Sequence, residues 1–138
     1  MRYGFDGLRK GHWKAKDMEL AIQKRFDVKH AQLVSSGTAA VSMALAAAGV
    51  GAGDEVIMPT FTFVASFEAI MMTGATPVVV DIDDTLTLDI EAVKAAITSK
   101  TKAIMPVHMC GSMANIGALK SICDTHHLLL IEDACQAI

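Results

Sequence analysis

The sequence lacks the features that define several common classes of protein. No apolar stretch reaches the roughly 20 residues needed to cross a bilayer, and the N-terminal residues, with Asp6, Trp13 and Asp17, lack the apolar core of a signal peptide. A net charge of −3 gives no reason to expect a nucleic acid or an anionic membrane as partner. We therefore expect a cytoplasmic protein that binds neither nucleic acid nor membrane.

Cysteine is also scarce. Cys110, Cys123 and Cys135 form no CxxC pair and leave an odd number, which favours a reducing compartment and predicts thiols used as small core residues. His108, Cys110 and Asp133 do not have the spacing of a recognised set of metal ligands. The sequence therefore predicts no metal site.

Apolar residues are abundant and alternate between strand and helix patterns. They make up 52% of 138 residues, with 20% charged, as in a globular domain. Helices are predicted at residues 19–26, 38–48, 63–72, 89–98 and 115–126, and strands at 55–58, 77–82, 103–107 and 128–131. Asp89 and Asn115 are the predicted N-caps of the last two helices. The later strands are continuous apolar runs, which are typical of a parallel sheet covered on both faces. The predicted fold is α/β, with three layers: a mostly parallel sheet and helices on both faces.

The first candidate site is the turn Ser35-Ser36-Gly37-Thr38, directly before the alanine-rich helix. A turn that leads into a helix N-terminus offers free backbone N–H groups and a positive dipole end, and hydroxyls can add donors, so a phosphate could bind there. An ordinary serine or threonine helix cap explains the same four residues. The turn is neither a Walker loop nor a GxGxxG motif, so nucleotide binding based on those motifs is excluded.

Two further candidates follow predicted strands. Residues 59–66 contain Phe61 and Phe63, which could form a flat wall for a planar ligand or simply pack in a core that has few aromatic rings. Glu132 and Asp133 follow the last strand, where open α/β sheets bind their ligands. Either carboxylate could instead cap a helix. His108 follows the preceding strand and is expected near the same edge of the sheet.

Five segments, in this order, resemble one family. The segments VSSGTAA, GDEVIMPTFTFVAS, GATPVVVDID, TKAIMPVHMCG and IEDACQA are similar to those of the DegT/DnrJ/EryC1/StrS family. Its members are pyridoxal-phosphate (PLP) enzymes of the aspartate-aminotransferase fold, many of which aminate keto-sugars. The resemblance runs from about Asp17 onward. It implies that residues 1–138 are a single domain, the N-terminal portion of the PLP-binding large domain, without the small C-terminal domain.

The resemblance also implies roles for individual residues. Gly37 and Thr38 would hold the cofactor phosphate, and Phe63 would stack on the pyridine ring. Asp133 would pair with the pyridine nitrogen, and Gln136 would lie near the phenolic oxygen and the ring face. Two further residues, Ser36 and His108, are expected to lie next to these residues and to support them without contacting the cofactor.

The Schiff-base lysine of the family lies downstream of the last segment, and this chain ends at Ile138. Four lysines in the predicted helices and loops do not match it: Lys94, Lys100, Lys102 and Lys120. The resemblance thus implies an aminotransferase acting on a keto-sugar or nucleotide sugar with an amino-acid donor, here as a fragment that lacks its covalent catalyst. Two alternatives remain open: an inactive truncated module that binds or interacts, and a PLP-dependent sugar dehydratase of the same family.

Self-association is expected from the predicted sheet itself. A parallel sheet that stops after the strand at 128–131 has an unpaired edge and uncovered apolar faces. Members of the family are generally dimers with active sites at the subunit interface. Both considerations predict a homodimer or a larger assembly.

Overall fold

The computed structural model describes residues 14–137, so the segment on which the prediction of no signal peptide mainly rests lies outside the described residues. The chain divides into two compact units, one ending at Ser35 and the other beginning at Ser36. In the part that the structure describes, no helix combines the length and the apolar character needed to cross a membrane.

The first unit contains helix α1 (Lys14–Phe26). It begins before the predicted start at residue 19, because its first turn is polar and exposed and so has no apolar pattern to reveal it. Glu19 is only 7% exposed. Its carboxylate accepts hydrogen bonds from the Leu33 backbone N–H (3.0 Å) and the Gln32 side-chain amide (3.1 Å), which ties the following segment to the helix.

Residues 36–137 form a four-stranded sheet with four α-helices. The strands are β1 (Glu55–Pro59), β2 (Thr76–Val80), β3 (Thr101–Ile104) and β4 (Leu129–Leu130). The helices are α2 (Gly37–Ala47), α3 (Val64–Met72), α4 (Ile90–Ala96) and α5 (Ile116–His126), with a 3₁₀ turn at Met109–Gly111. The strand order is β2-β1-β3-β4, and every neighbouring pair is parallel.

The sheet is covered on both faces, as predicted. Successive side chains of a strand point to opposite faces, and in β1 Val56 and Met58 belong to one apolar cluster while Ile57 belongs to another. Helices α2 and α3 cover the first face through residues such as Leu45 and Ile70. Helices α4 and α5 cover the second. The three-layer α/β prediction is confirmed.

Three of the five described helices begin after a short polar side chain. Ser36 accepts a hydrogen bond from the Ala39 N–H, Asp89 from the Ala92 N–H, and Asn115 from the Ala118 N–H, at 3.1, 2.7 and 3.1 Å. Each is an N-cap bond that satisfies a donor left free at a helix start. These caps depend on residues three apart, so the sequence reveals them directly.

The elements at the carboxyl end of the sheet differ from the prediction. Strand β3 begins and ends earlier than residues 103–107, and β4 has two residues instead of four. Beyond both strands, a single parallel bridge joins Val107 to Asp133. The prediction that all three cysteines are core residues was wrong for two of them. Cys123 is buried, whereas Cys110 and Cys135 are exposed because they lie in loops at this edge.

Candidate functional site

The strand order places a crevice at one edge of the sheet. From β1, the chain passes to β2 on one side and then crosses to β3 on the other. Open α/β sheets bind ligands outside the carboxyl ends of their strands, at such a change of direction. The described polar residues that follow β1 and β4 therefore lie where a ligand is expected.

A cavity of about 220 Å³ lies at this edge. Three segments line it: the start of α2, the segment from the end of β1 into α3, and the loop after β4. The lining residues are Gly37, Thr38, Val41, Phe63, Ala65, Ser66, Asp133 and Cys135. The structure thus brings together four of the five residues to which the family resemblance assigns direct contacts with the cofactor, all except Gln136.

Ser36 caps α2, and the start of this helix still has backbone N–H groups that the helix itself does not use. The Ser36 hydroxyl accepts from the Ala39 N–H, and the Ser36 carbonyl accepts from the Ala40 N–H (3.0 Å). The N–H groups of Gly37 and Thr38 come earlier and have no acceptor within the helix. The cap and the phosphate cradle, which the sequence left as alternatives, are therefore compatible.

Gly37 permits the helix to approach the loop after β4. A Cβ atom built on Gly37 would lie 2.8 Å from the Cys135 sulfur, closer than real Cβ atoms come to other heavy atoms. The absence of a side chain therefore lets the helix N-terminus and the Asp133 loop form two walls of one cavity.

Asp133 is a buried carboxylate, 6% exposed, with both oxygens engaged. Its Oδ2 accepts a hydrogen bond from the Ser66 hydroxyl at 2.8 Å, and its Oδ1 accepts from the Cys135 N–H at 3.2 Å. The Asp133 backbone N–H donates to the Pro106 carbonyl at 2.9 Å. The side chain thus has a defined position in the cavity wall, and its neighbour Ser66 is a site residue that the sequence analysis missed.

Cys135 was also missed as a lining residue. Interaction of the thiol itself with the Asp133 carboxylate as a hydrogen-bond partner, and to a lesser degree burial, raises the pKa of the thiol from 9.0 to about 11. The thiol therefore stays protonated near neutral pH and acts as a weak donor rather than a nucleophile.

Phe63 is at the rim of the cavity instead of in the core. It is the N-cap residue of α3 and is 66% exposed. Phe61 is 40% exposed. Core packing, which the sequence offered as the simpler explanation of these rings, is wrong for both.

His108 supports the same edge of the sheet without lining this cavity. It is 4% exposed, and its Nδ1 accepts a hydrogen bond from the Ala114 N–H at 3.1 Å. Its Nε2 therefore carries the proton in the neutral form and donates to Glu132 at 3.0 Å. Its backbone N–H donates to the Asp133 carbonyl at 3.1 Å. His108 thus fixes the segment that carries Asp133.

Gln136 does not line the cavity that contains Asp133. Its Oε1 accepts a hydrogen bond from the Cys110 N–H at 2.8 Å. With His108, it lines a second cavity of about 350 Å³. The structure does not bring Gln136 into the cavity that contains Asp133.

Comparisons with known proteins show which proteins this chain is similar to. The family model described as the DegT/DnrJ/EryC1/StrS aminotransferase family matches residues 7–138. The chain is 49% identical to the GDP-perosamine synthase of Vibrio cholerae, covering 80% of this chain and 30% of that protein. It is 45% identical to the L-glutamine:2-deoxy-scyllo-inosose aminotransferase of Streptomyces kanamyceticus, covering 94% and 33%. The chain spans about a third of the length of these curated relatives.

A solved structure shares the architecture. NtdA of Bacillus subtilis, with bound cofactor PMP, superimposes with a TM-score of 0.88 at 36% identity, over 90% of this chain and 29% of that one. The described sheet and its helices therefore have the predicted aspartate-aminotransferase-like fold. Because the family model matches almost the whole length of the chain, the chain belongs to the DegT/DnrJ/EryC1/StrS aminotransferase family.

Proposed function

We propose that this chain is part of a PLP-dependent aminotransferase that aminates a keto-sugar or nucleotide sugar with an amino-acid donor. The family and the names of the two curated relatives support this activity. The observation that carries the proposal is the 220 Å³ cavity, in which the buried carboxylate of Asp133 lies together with the N-terminus of α2 and the ring of Phe63.

The start of α2 is the proposed phosphate site. The backbone N–H groups of Gly37 and Thr38 and the Thr38 hydroxyl are donors, and the positive end of the helix dipole favours an anion. Ser36 keeps the first turn of the helix in place through its cap bond. Donors of this kind suit the phosphate group that PLP and its aminated form, PMP, share.

Asp133 and Phe63 are the proposed ring contacts. A carboxylate beside the pyridine nitrogen keeps that nitrogen protonated, and an aromatic ring at the cavity rim can fix the plane of the cofactor. PLP bound there would supply an electron sink for a substrate carbanion. Contacts at the phosphate, the nitrogen and the ring face together define one orientation, which decides which substrate bond lies in position to react.

Gln136 and His108 complete the proposed site in different ways. Gln136 is proposed to donate from its side-chain amide nitrogen to the phenolic oxygen of the cofactor, since its Oε1 is already engaged by the Cys110 N–H. His108 acts indirectly, because its hydrogen bonds to the Glu132 side chain and to the Asp133 carbonyl keep both residues in position.

The Schiff-base lysine, which would bond covalently to the cofactor, is proposed to lie outside the described residues. In residues 36–137, no lysine lines the cavity, and two of the lysines pair with exposed carboxylates of their own helices, Lys94 with Glu91 and Lys120 with Asp124. We therefore regard residues 1–138 as the N-terminal portion of one PLP-binding large domain. Alone, this portion is expected to bind the cofactor non-covalently and to catalyse no turnover.

We further propose a cytoplasmic homodimer or larger assembly. Apolar side chains on α2 and α3 support it, since Met43, Met71 and Met72 are 52%, 52% and 74% exposed. A light-scattering mass of 14.6 kDa, that of one chain, would contradict this part of the proposal. The names of the relatives do not favour the two alternatives, an inactive binding or interaction module and a sugar dehydratase.

Calorimetric titration with PMP tests the cofactor site. PMP has no aldehyde and so cannot react with surface lysines. Asp133→Asn keeps the shape of the side chain but removes its charge, and Glu132→Gln removes the neighbouring charge as a matched control. We expect Asp133→Asn to raise the Kd for PMP at least about tenfold, because hydrogen bonds to charged groups are the strong ones, and Glu132→Gln to change it much less. Failure of the unmodified chain to bind PMP, or equal Kd values for Asp133→Asn and the unmodified chain, would refute the proposed site.

A further inference from the structure

Ser66 is a buried hydroxyl within the apolar helix α3. It is 2% exposed, and a buried hydroxyl without a partner is unfavourable. Its Oγ lies 2.8 Å from Asp133 Oδ2 and 2.8 Å from Thr62 Oγ1. The two contacts join residues that are far apart in the sequence, since Ser66 and Asp133 are separated by 67 positions.

The hydrogen bonds of Ser66 have only one consistent direction. A serine hydroxyl has a single proton, and an ionised carboxylate can only accept. Ser66 therefore donates to Asp133, and Thr62 donates to Ser66. The hydroxyl of Ser66 cannot rotate without losing one or both of these bonds.

Two donors on different oxygens fix the plane of the Asp133 carboxylate. Ser66 holds Oδ2 from the side of α3, and the Cys135 N–H holds Oδ1 from within the loop. A carboxylate held at one oxygen can still turn about its Cβ–Cγ bond, whereas one held at both cannot turn freely. The direction in which Asp133 presents its remaining lone pairs therefore depends on Ser66.

We infer that Ser66, backed by Thr62, is a positioning residue that aims Asp133 at the ring nitrogen of the cofactor. This inference rests on the proposed function, because it requires the nitrogen of PLP or PMP to lie against Asp133. Ser66 acts through Asp133, so its effect depends on that nitrogen and is absent for a ring without one.

The test compares PMP with its 1-deaza analogue, in which a C–H group replaces the ring nitrogen. Both ligands are titrated by calorimetry into the 138-residue chain and into Ser66→Ala, Ser66→Thr and Thr62→Val. Thermal unfolding followed by circular dichroism shows that each variant is folded. The measured quantity is the ratio of the two Kd values, which cancels any general loss of binding.

We expect the unmodified chain to prefer PMP about tenfold or more, as for a charge-assisted hydrogen bond. Ser66→Ala is expected to lower this preference by about threefold or more, and Ser66→Thr, which keeps the hydroxyl, to retain most of it. Thr62→Val is expected to lower this preference by a smaller factor. If Ser66→Ala does not fold, the Kd ratios of Thr62→Val and Ser66→Thr test the inference in its place.

The outcomes separate the two proposals. If Ser66→Ala weakens both ligands equally, so that the ratio is unchanged, Ser66 is merely a structural link and the inference is overturned. If the unmodified chain shows no preference for PMP, the Asp133 contact of the proposed function fails, and the role of Ser66 fails with it.

Discussion

Replacing Gly37 with alanine adds a methyl group where α2 meets the loop after β4. The new Cβ atom would lie 2.8 Å from the Cys135 sulfur. Either the helix shifts, or the thiol rotates away from its position beside Asp133. Overpacking of this kind costs about 1–3 kcal/mol, and alanine offsets up to about 1 kcal/mol of it because glycine is the weaker helix former. We expect Gly37→Ala to lower the free energy of unfolding by about 1 kcal/mol.

The same substitution should behave differently once the sulfur is gone. In Cys135→Ala the nearest remaining atom of that side chain is its Cβ, at 3.7 Å, which is an ordinary contact. Only the helix preference for alanine then remains, so Gly37→Ala is expected to be neutral or slightly stabilising, by up to about 0.5–1 kcal/mol.

Urea unfolding measures the coupling between Gly37→Ala and Cys135→Ala. It is carried out on four chains: the unmodified chain, both single variants and the double variant. We expect the two substitutions to be non-additive by about 1–2 kcal/mol. Additive effects, with Gly37→Ala equally destabilising in both backgrounds, would show that the sulfur does not limit the approach of α2.

Two further predictions concern titratable groups at the same edge of the sheet. Because the hydrogen bond with Asp133 raises the pKa of Cys135 to about 11, its reaction with a thiol reagent should be slow near neutral pH and accelerate as the pH approaches that value; Asp133→Asn should lower this pKa and speed the reaction, as measured by mass spectrometry of the labelled peptide. An unchanged rate in Asp133→Asn would count against the contact. For His108, the Ala114 N–H donates to Nδ1, so ¹⁵N NMR of the neutral ring should find the proton on Nε2, and a proton on Nδ1 would be incompatible with this hydrogen bond.

The sequence predicted the features that depend on near neighbours. The caps at Ser36, Asp89 and Asn115 each rest on a side chain and an N–H three residues later, so their pattern is visible in the chain itself. The parallel sheet follows from apolar strands that alternate with helices.

Contacts across the sheet edge were harder to predict. Ser66 meets Asp133 only because strands from distant parts of the chain end at the same edge, and no local pattern marks a serine in an apolar helix as a partner of a carboxylate. The position of Gln136 depends on the backbone angles of a short loop, which the sequence does not specify, and the family resemblance could not reveal its bond with Cys110. Cys110 and Cys135 were misplaced for the same reason, since loop residues follow neither the strand nor the helix period.

The proposed function depends on Asp133 facing the ring nitrogen of a bound cofactor. The most direct test is ¹⁵N NMR of PMP labelled at that nitrogen, bound to the chain at a pH above the one at which free PMP loses its ring proton. We predict a protonated nitrogen in the unmodified chain and an unprotonated one in Asp133→Asn. The same protonation state in both, or an unprotonated nitrogen in the unmodified chain, would contradict the proposed function.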